Sequence, residues 1–287
     1  MPLLGAHMSI VGGPDKALRQ GSEVGCKAIQ IFTRNRLRWT GKELSSNEII
    51  AFRGTRDDTS VVPIAIHCSY LINLASPDKD KRKQSYQLLL KEMEWASKLD
   101  IPYLVLHPGF HMGMGEDAAL KTVGKMIKRV FHKCDRCKIE ILLETTAGQG
   151  TCLGFRFEHF AEILKFADSD DRIGVCFDTS HVFASGYDFR KKEAYGQMME
   201  EFDTIIGIDR LRLFHINDSR SDAGSMIDRH DHPGKGLIGL KPFSFFLHDT
   251  RFIDHSFILE TPKGNDENGV DLDIVNLKKL SNLRKEL

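Results

Sequence analysis

The sequence has no net charge: 40 Lys and Arg stand against 40 Asp and Glu in 287 residues. That excludes a strongly basic nucleic-acid coat, although one surface can still focus a positive field while the total cancels. No apolar run approaches the ~20 residues that span a bilayer. Met1 to Gly13 has neither a basic segment nor a long apolar stretch, so neither a membrane span nor a secretory signal is expected. Cysteine is scarce. Six residues (Cys26, Cys68, Cys134, Cys137, Cys152 and Cys176) are too few for a disulfide framework, and a reducing cytoplasm is the expected setting. Cys134-Asp135-Arg136-Cys137 is a lone CxxC without the second pair of a zinc ribbon, and reads as ordinary cysteines at a helix end. No linker or low-complexity tract divides the chain, so residues 1–287 are expected to form one domain.

What the sequence has is alternation. Strand-like apolar runs recur at Leu3–Ala6, Ala28–Phe32, Val61–Ile66, Tyr103–Leu106, Ile139–Leu143, Ile173–Phe177, Leu211–Phe214 and Phe257–Leu259. Helical patterns lie between them, most clearly over Pro77–Leu99, Ala118–His132, Phe157–Ala167 and Tyr195–Ile206. Near-continuous apolar strands alternating with helices imply a parallel sheet covered by helices. Eight such units imply an α/β protein with a closed (β/α)8 barrel. Ser219–Gly239 and Pro262–Val270 are the least regular stretches and are expected to be loops.

Six successive runs are followed at once by a residue with metal-binding or acid–base chemistry: His67, His107, Glu144, Asp178, His215 and Glu260. Their spacings of 40, 37, 34, 37 and 45 residues each correspond to one repeat. In this architecture the C-terminal strand ends converge on one mouth, where active sites form. Three imidazoles and three carboxylates crowded there are accommodated by divalent cations, since neutral imidazole and ionised carboxylate are both zinc ligands. His181, three residues beyond Asp178, and the pair Asp228 and His230 add ligands of the same kind. One four-coordinate ion cannot use nine, so two or three metals are implied. Closely spaced metals suit phosphoryl chemistry, because they clamp attacking and leaving oxygens.

The segments His67-Cys68-Ser69-Tyr70-Leu71-Ile72-Asn73-Leu74, Leu106-His107-Pro108-Gly109, Leu143-Glu144-Thr145-Thr146-Ala147-Gly148-Gln149-Gly150, Phe177-Asp178-Thr179-Ser180-His181, His215-Ile216-Asn217-Asp218-Ser219 and Asp228-Arg229-His230 resemble the endonuclease IV family. These are zinc-dependent apurinic/apyrimidinic (AP) endonucleases of base-excision repair. The match runs from Gly5-Ala6-His7 to Leu259-Glu260-Thr261-Pro262. The resemblance implies a TIM barrel holding three Zn2+ ions, with Mn2+ acceptable at one or more sites. His67, His107 and Glu144 would hold the first ion. Glu144, Asp178, His215 and Glu260 would hold the second, and His181, Asp228 and His230 the third. It implies hydrolysis of the phosphodiester 5′ to an abasic site, leaving a 3′-hydroxyl and a 5′-deoxyribose phosphate, and trimming of blocked 3′ ends. The nucleophile would be a zinc-activated hydroxide oriented by Glu144.

The expected partner is double-stranded DNA with abasic or 3′-blocked sites, acted on by a monomer. Arg34, Asn35, Arg36 and Arg38 follow the second strand and are expected at the DNA, where the arginines can contact phosphates. Trp39 is expected to pack, and Tyr70 to enter the gap at the lesion. Leu37 and Lys235 depart from the family pattern, which often has a basic or polar side chain at the first position and an acidic one at the second. Lys79-Asp80-Lys81-Arg82-Lys83 reads as a solvated helix start. The rival reading is a metal-dependent sugar isomerase or epimerase on the related barrel, which gives no reason for His181, Asp228 and His230. A non-enzymatic DNA-binding barrel would show damaged ligand positions, and none is seen.

Overall fold

A computed structural model describes residues 1–33, 38–134 and 137–285. Eight parallel strands close into a barrel: β1 (Leu3–Met8), β2 (Ala28–Phe32), β3 (Val62–His67), β4 (Tyr103–Leu106), β5 (Glu140–Glu144), β6 (Ile173–Asp178), β7 (Leu211–His215) and β10 (Ser256–Leu259). Neighbours in the chain are neighbours in the sheet, and the seam is closed by β1 on β10, with Leu3 beside Ser256 and Ala6 beside Leu259. β8 (Asp218–Ser219) and β9 (His230–Asp231) form a small antiparallel ladder within the long loop after β7. That stretch, expected to be irregular throughout, therefore carries a short hairpin.

The helices α1 (Pro14–Val24), α2 (Ser46–Thr59), α3 (Lys79–Leu99), α4 (Glu116–Lys133), α5 (Phe157–Phe166), α6 (Thr179–Ser185), α7 (Lys192–Ile205), α8 (Phe243–Leu247) and α9 (Leu272–Leu283) connect the strands and cover the barrel. Their starts are written locally. Ser45 and Glu48 form a reciprocal capping box at α2. Asp78 accepts the N–H groups of Asp80 and Lys81 at α3, so the basic run at 79–83 is the solvent-facing first turn, as expected. Cys134 caps the C-terminus of α4, and Cys137 packs beside it against the core. α2 and α9 carry little apolar periodicity. α2 buries only Phe52 and Thr55, and α9 buries Asp273 and Asn276 among its leucines.

The inside of the barrel positions the site. A floor of apolar side chains, Ala28, Ala65, Val105, Leu142, Cys176, Leu213 and Ile258, fills it at mid-height. Side chains alternate along a strand, so the residue two positions on points into the barrel one layer higher. Those residues are Gln30, His67, His107, Glu144, Asp178, His215 and Glu260. In β1 the floor position is Gly5, where a Cβ would lie 1.7 Å from the Ala28 carbonyl oxygen, and the residue above it is His7. Below the floor, Arg212 Nε meets Glu140 Oε2 at 2.9 Å.

Candidate metal centre

The strand-end residues come together as the spacing predicts. His67, Glu144, Asp178 and His215 are the last residues of β3, β5, β6 and β7, while His107 and Glu260 follow β4 and β10 directly. Glu144 is fully buried at the centre. Its Oε2 lies 3.0 Å from His67 Nε2 and 2.8 Å from His107 Nε2. Its Oε1 lies 2.9 Å from His215 Nδ1, which is also 3.2 Å from Glu260 Oε2. One carboxylate thus serves two groups that could each hold an ion: His67, His107 and Glu144, and Glu144, Asp178, His215 and Glu260.

A third group lies beside them. His181 stands on the first turn of α6, whose N-cap is Asp178, and His230 stands on β9. Asp178, His181 and His230 lie together with ligand spacing. Asp228 Oδ2 is 3.2 Å from His181 Nε2, and its Oδ1 is 3.5 Å from His230 Nε2. The triad His181, Asp228 and His230 is therefore assembled, and Asp178 is shared with it. Asp218 holds the loop that delivers Asp228 and His230. Its buried carboxylate accepts the backbone N–H groups of Ser219, Gly234, Gly236 and Ile238.

The donor set fits cations. His67 Nδ1 faces the Cys68 carbonyl at 2.8 Å, and His181 Nδ1 faces the Thr145 carbonyl at 2.9 Å. A carbonyl only accepts, so each of these nitrogens carries the ring proton. The Nε2 that faces the carboxylates is then a lone pair, set against oxygens that also only accept. Such contacts repel unless a further proton or a metal ion sits among them. Outer hydrogen bonds that fix a tautomer in this way are the usual support of metal-bound histidine.

Without metal, protons take that place. Burial opposes charge on His67, His181 and His215, but neighbouring acidic groups outweigh it and raise all three above the ordinary 6.5. Burial likewise opposes ionisation of Glu144, yet His107 and His215 hold it well below 4.5. The raised imidazoles contribute stability that is complete below pH 6.5 and lost as pH rises through their folded values. The depressed carboxyl contributes stability that is complete above pH 4.5 and lost on acidification. Thermal melts of the chelator-treated protein should therefore show this site's contribution at its greatest between pH 4.5 and 6.5. Zinc uptake should release protons and tighten as pH rises above 6.5. Zinc binding with no proton release at pH 7 would contradict the assignment.

The xylose isomerase-like TIM barrel family matches residues 18–280. A protein of Chloroflexus aurantiacus described as a probable endonuclease 4 is 47% identical over 266 residues, covering 93% of each chain. The chain belongs to the endonuclease IV family. The crystal structure of endonuclease IV from Thermus thermophilus superposes with a TM-score of 0.87 at 31% identity, covering 100% of both chains. A D-tagatose 3-epimerase-like protein, 20% identical over 98% of this chain and 97% of its own, shares the barrel at a TM-score of 0.73.

The mouth of this endonuclease IV barrel carries two clefts, of about 720 Å³ and 810 Å³, that meet at Tyr70, Asp228, His230 and Glu260. The first is walled by Ile72, Phe110, Ala147 and Cys152, the second by Ile10, Phe32, Arg229 and Lys263. Tyr70 is 44% exposed on the ridge between them, its ring centroid 5.5 Å from that of His67 and 5.7 Å from that of His107. Arg34, Asn35, Arg36 and Leu37 lie outside the described residues. Arg38 is exposed and lines a separate hollow with Pro14 and Lys42. Trp39, expected to pack, is 38% exposed, because residues 38–43 all lie on the surface before α2 begins. Lys235 is also exposed.

Three residues of the site escaped the sequence reading. His7 directly follows the run Leu3–Ala6, and the pattern that singles out six strand-end candidates applies to it too. It lies 3.4 Å from Glu260 Oε1. Gln30 touches both His215 and Glu260 from the middle of β2, and an amide carried no signal. Asn217 donates to Asp178 Oδ2 at 2.7 Å and accepts the Glu260 N–H at 2.8 Å.

Proposed function

We propose that this chain hydrolyses the phosphodiester 5′ to abasic sites in duplex DNA, leaving a 3′-hydroxyl and a 5′-deoxyribose phosphate, and trims blocked 3′ ends, with three zinc ions as cofactor. Membership of the endonuclease IV family makes it an AP endonuclease and so a phosphodiester hydrolase. The observation that carries the reading is Glu144, one buried carboxylate facing imidazoles of two adjoining ligand groups through its two oxygens. His67, His107 and Glu144 would hold one ion. Glu144, Asp178, His215 and Glu260 would hold a second, and His181, Asp228 and His230 a third, with manganese accepted at one or more of them. Bound zinc supplies positive charge for phosphate oxygens and lowers the pKa of water.

The chain's own groups do the rest. Glu144 orients the attacking oxygen from the base of the site. Asn217 fixes Asp178 and the start of the Glu260 segment in one orientation. The apolar wall at Ile72 and Ala147 suits a sugar without its base. Arg34, Asn35, Arg36 and Arg38 are assigned to the DNA backbone, and Tyr70 to the lesion gap. The same reading has a cytoplasmic monomer. Among the described residues no helix is long and apolar enough to cross a membrane.

The sugar epimerase reading shares the fold, but it leaves the His181, Asp228 and His230 group without a task. The test is incision of a duplex carrying one abasic-site analogue, with metal content measured on the same sample. Incision 5′ to the lesion with about three zincs per chain is the expected result. A fully metallated sample that does not cut would overturn it. Tyr70→Ala should lower the preference for abasic over intact duplex by about tenfold, the ~1–3 kcal/mol of one stacked aromatic, and leave zinc content unchanged. An unaltered preference would remove Tyr70 from the lesion gap.

A further inference from the structure

Gln30 is fully buried in the middle of β2, and its carboxamide reaches two candidate ligands at the ends of two other strands. Its Nε2 lies 2.6 Å from Glu260 Oε1, and its Oε1 lies 2.9 Å from His215 Nε2. A carboxylate only accepts, so the amide nitrogen must face Glu260 and the amide oxygen must face His215. His215 must then carry its proton on Nε2, which leaves the Nδ1 lone pair facing Glu144 and Glu260. The same amide ties down one oxygen of Glu260 and leaves Oε2 facing the site. A second amide hydrogen points at His7 Nδ1, 3.0 Å away.

We propose that Gln30 is a positioning residue for the second ion: through one carboxamide it sets the tautomer of His215 and the orientation of Glu260. The inference rests on the metal reading of the site. Both polar atoms of the carboxamide are taken up by Glu260, His215 and His7, so Gln30 acts through the side chains it touches. Hydrogen bonds of this kind are worth about 10–100-fold in metal affinity.

Two variants separate positioning from space-filling. Gln30→Met keeps the length of the side chain and loses the hydrogen bonds to Glu260, His215 and His7. Gln30→Glu keeps the shape and the acceptor for His215 but sets an oxygen against Glu260. Zinc stoichiometry, zinc affinity by chelator competition, the absorption spectrum of the cobalt-substituted protein and incision of abasic duplex would be measured on both and on the wild-type chain. Both variants should bind two of three ions as the wild type does and the remaining one about 10–100-fold more weakly. The cobalt spectrum should change, and kcat should fall with KM held. If Gln30→Met does not fold, Gln30→Glu carries the test alone. Either folded variant holding all three zincs at wild-type affinity would overturn the inference and leave the function standing. A wild-type chain that binds no zinc would overturn the metal reading, and this inference with it.

Discussion

Glu144→Gln leaves a folded barrel in which incision of abasic duplex is at least about 100-fold slower, the scale on which removal of one essential polar group in an active site is felt. The size of the side chain is unchanged, so the packing above the Leu142 floor persists. What is lost is the symmetry of the carboxylate. Glu144 presents one oxygen to His67 and His107 and the other to His215. An amide has one oxygen and one NH2, so whichever way it turns it aims N–H groups at one of the two ligand groups. In the proposed enzyme only one ion would then be served, and the orientation of the attacking oxygen would go with the other. The assay is single-turnover nicking beside zinc analysis and a thermal melt. A well-folded variant that keeps more than a tenth of the wild-type rate would remove Glu144 from its bridging role.

Stripping the metal should have an effect of similar size on activity and a larger one on stability. Chelation should end incision, and zinc returned at about three equivalents should restore it, whereas magnesium should not, since it prefers oxygen donors and the groups here are rich in imidazole. Each ion present at a thousand times its Kd adds about 4 kcal/mol to folding. For a chain of this length that is a shift in Tm of about 8 °C per site emptied. Calorimetry before and after chelation reads it directly. Full incision by chelated protein, or an unchanged Tm after zinc has left, would sink the metal reading.

The barrel was legible in the sequence because its strands are buried on both faces and read as short continuous apolar runs. Their observed ends agree with the runs to within a residue or two. The cluster at the strand ends was legible for a related reason. A polar residue that ends an apolar strand has to face the barrel mouth, and six in succession leave little else for it to face. Helices such as α2 and α9 were harder to see. The barrel needs only a narrow apolar stripe from them, and α2 supplies little beyond Phe52. Gln30 was invisible for the opposite reason: it lies inside an apolar run, where pattern alone cannot show which face of the strand it takes. The surface position of Trp39 was missed because a bulky aromatic beside a loop carries no periodicity to place it.

The seam between β1 and β10 joins residues from the two ends of the barrel's sequence, Leu3 with Ser256 and Ala6 with Leu259. Contacts so far apart in sequence are slow to form. During synthesis, β1 to β7 can assemble while the seam is still open, and until β10 arrives β1 presents an unpaired edge. Glu260 follows β10 directly, and it touches His7 from β1 and His215 from β7. The second ligand group is thus completed by the same event that shuts the sheet. In the proposed enzyme, the group Glu144, Asp178, His215 and Glu260 is therefore complete only once the last strand has docked, so closure of the sheet and assembly of the site are one event.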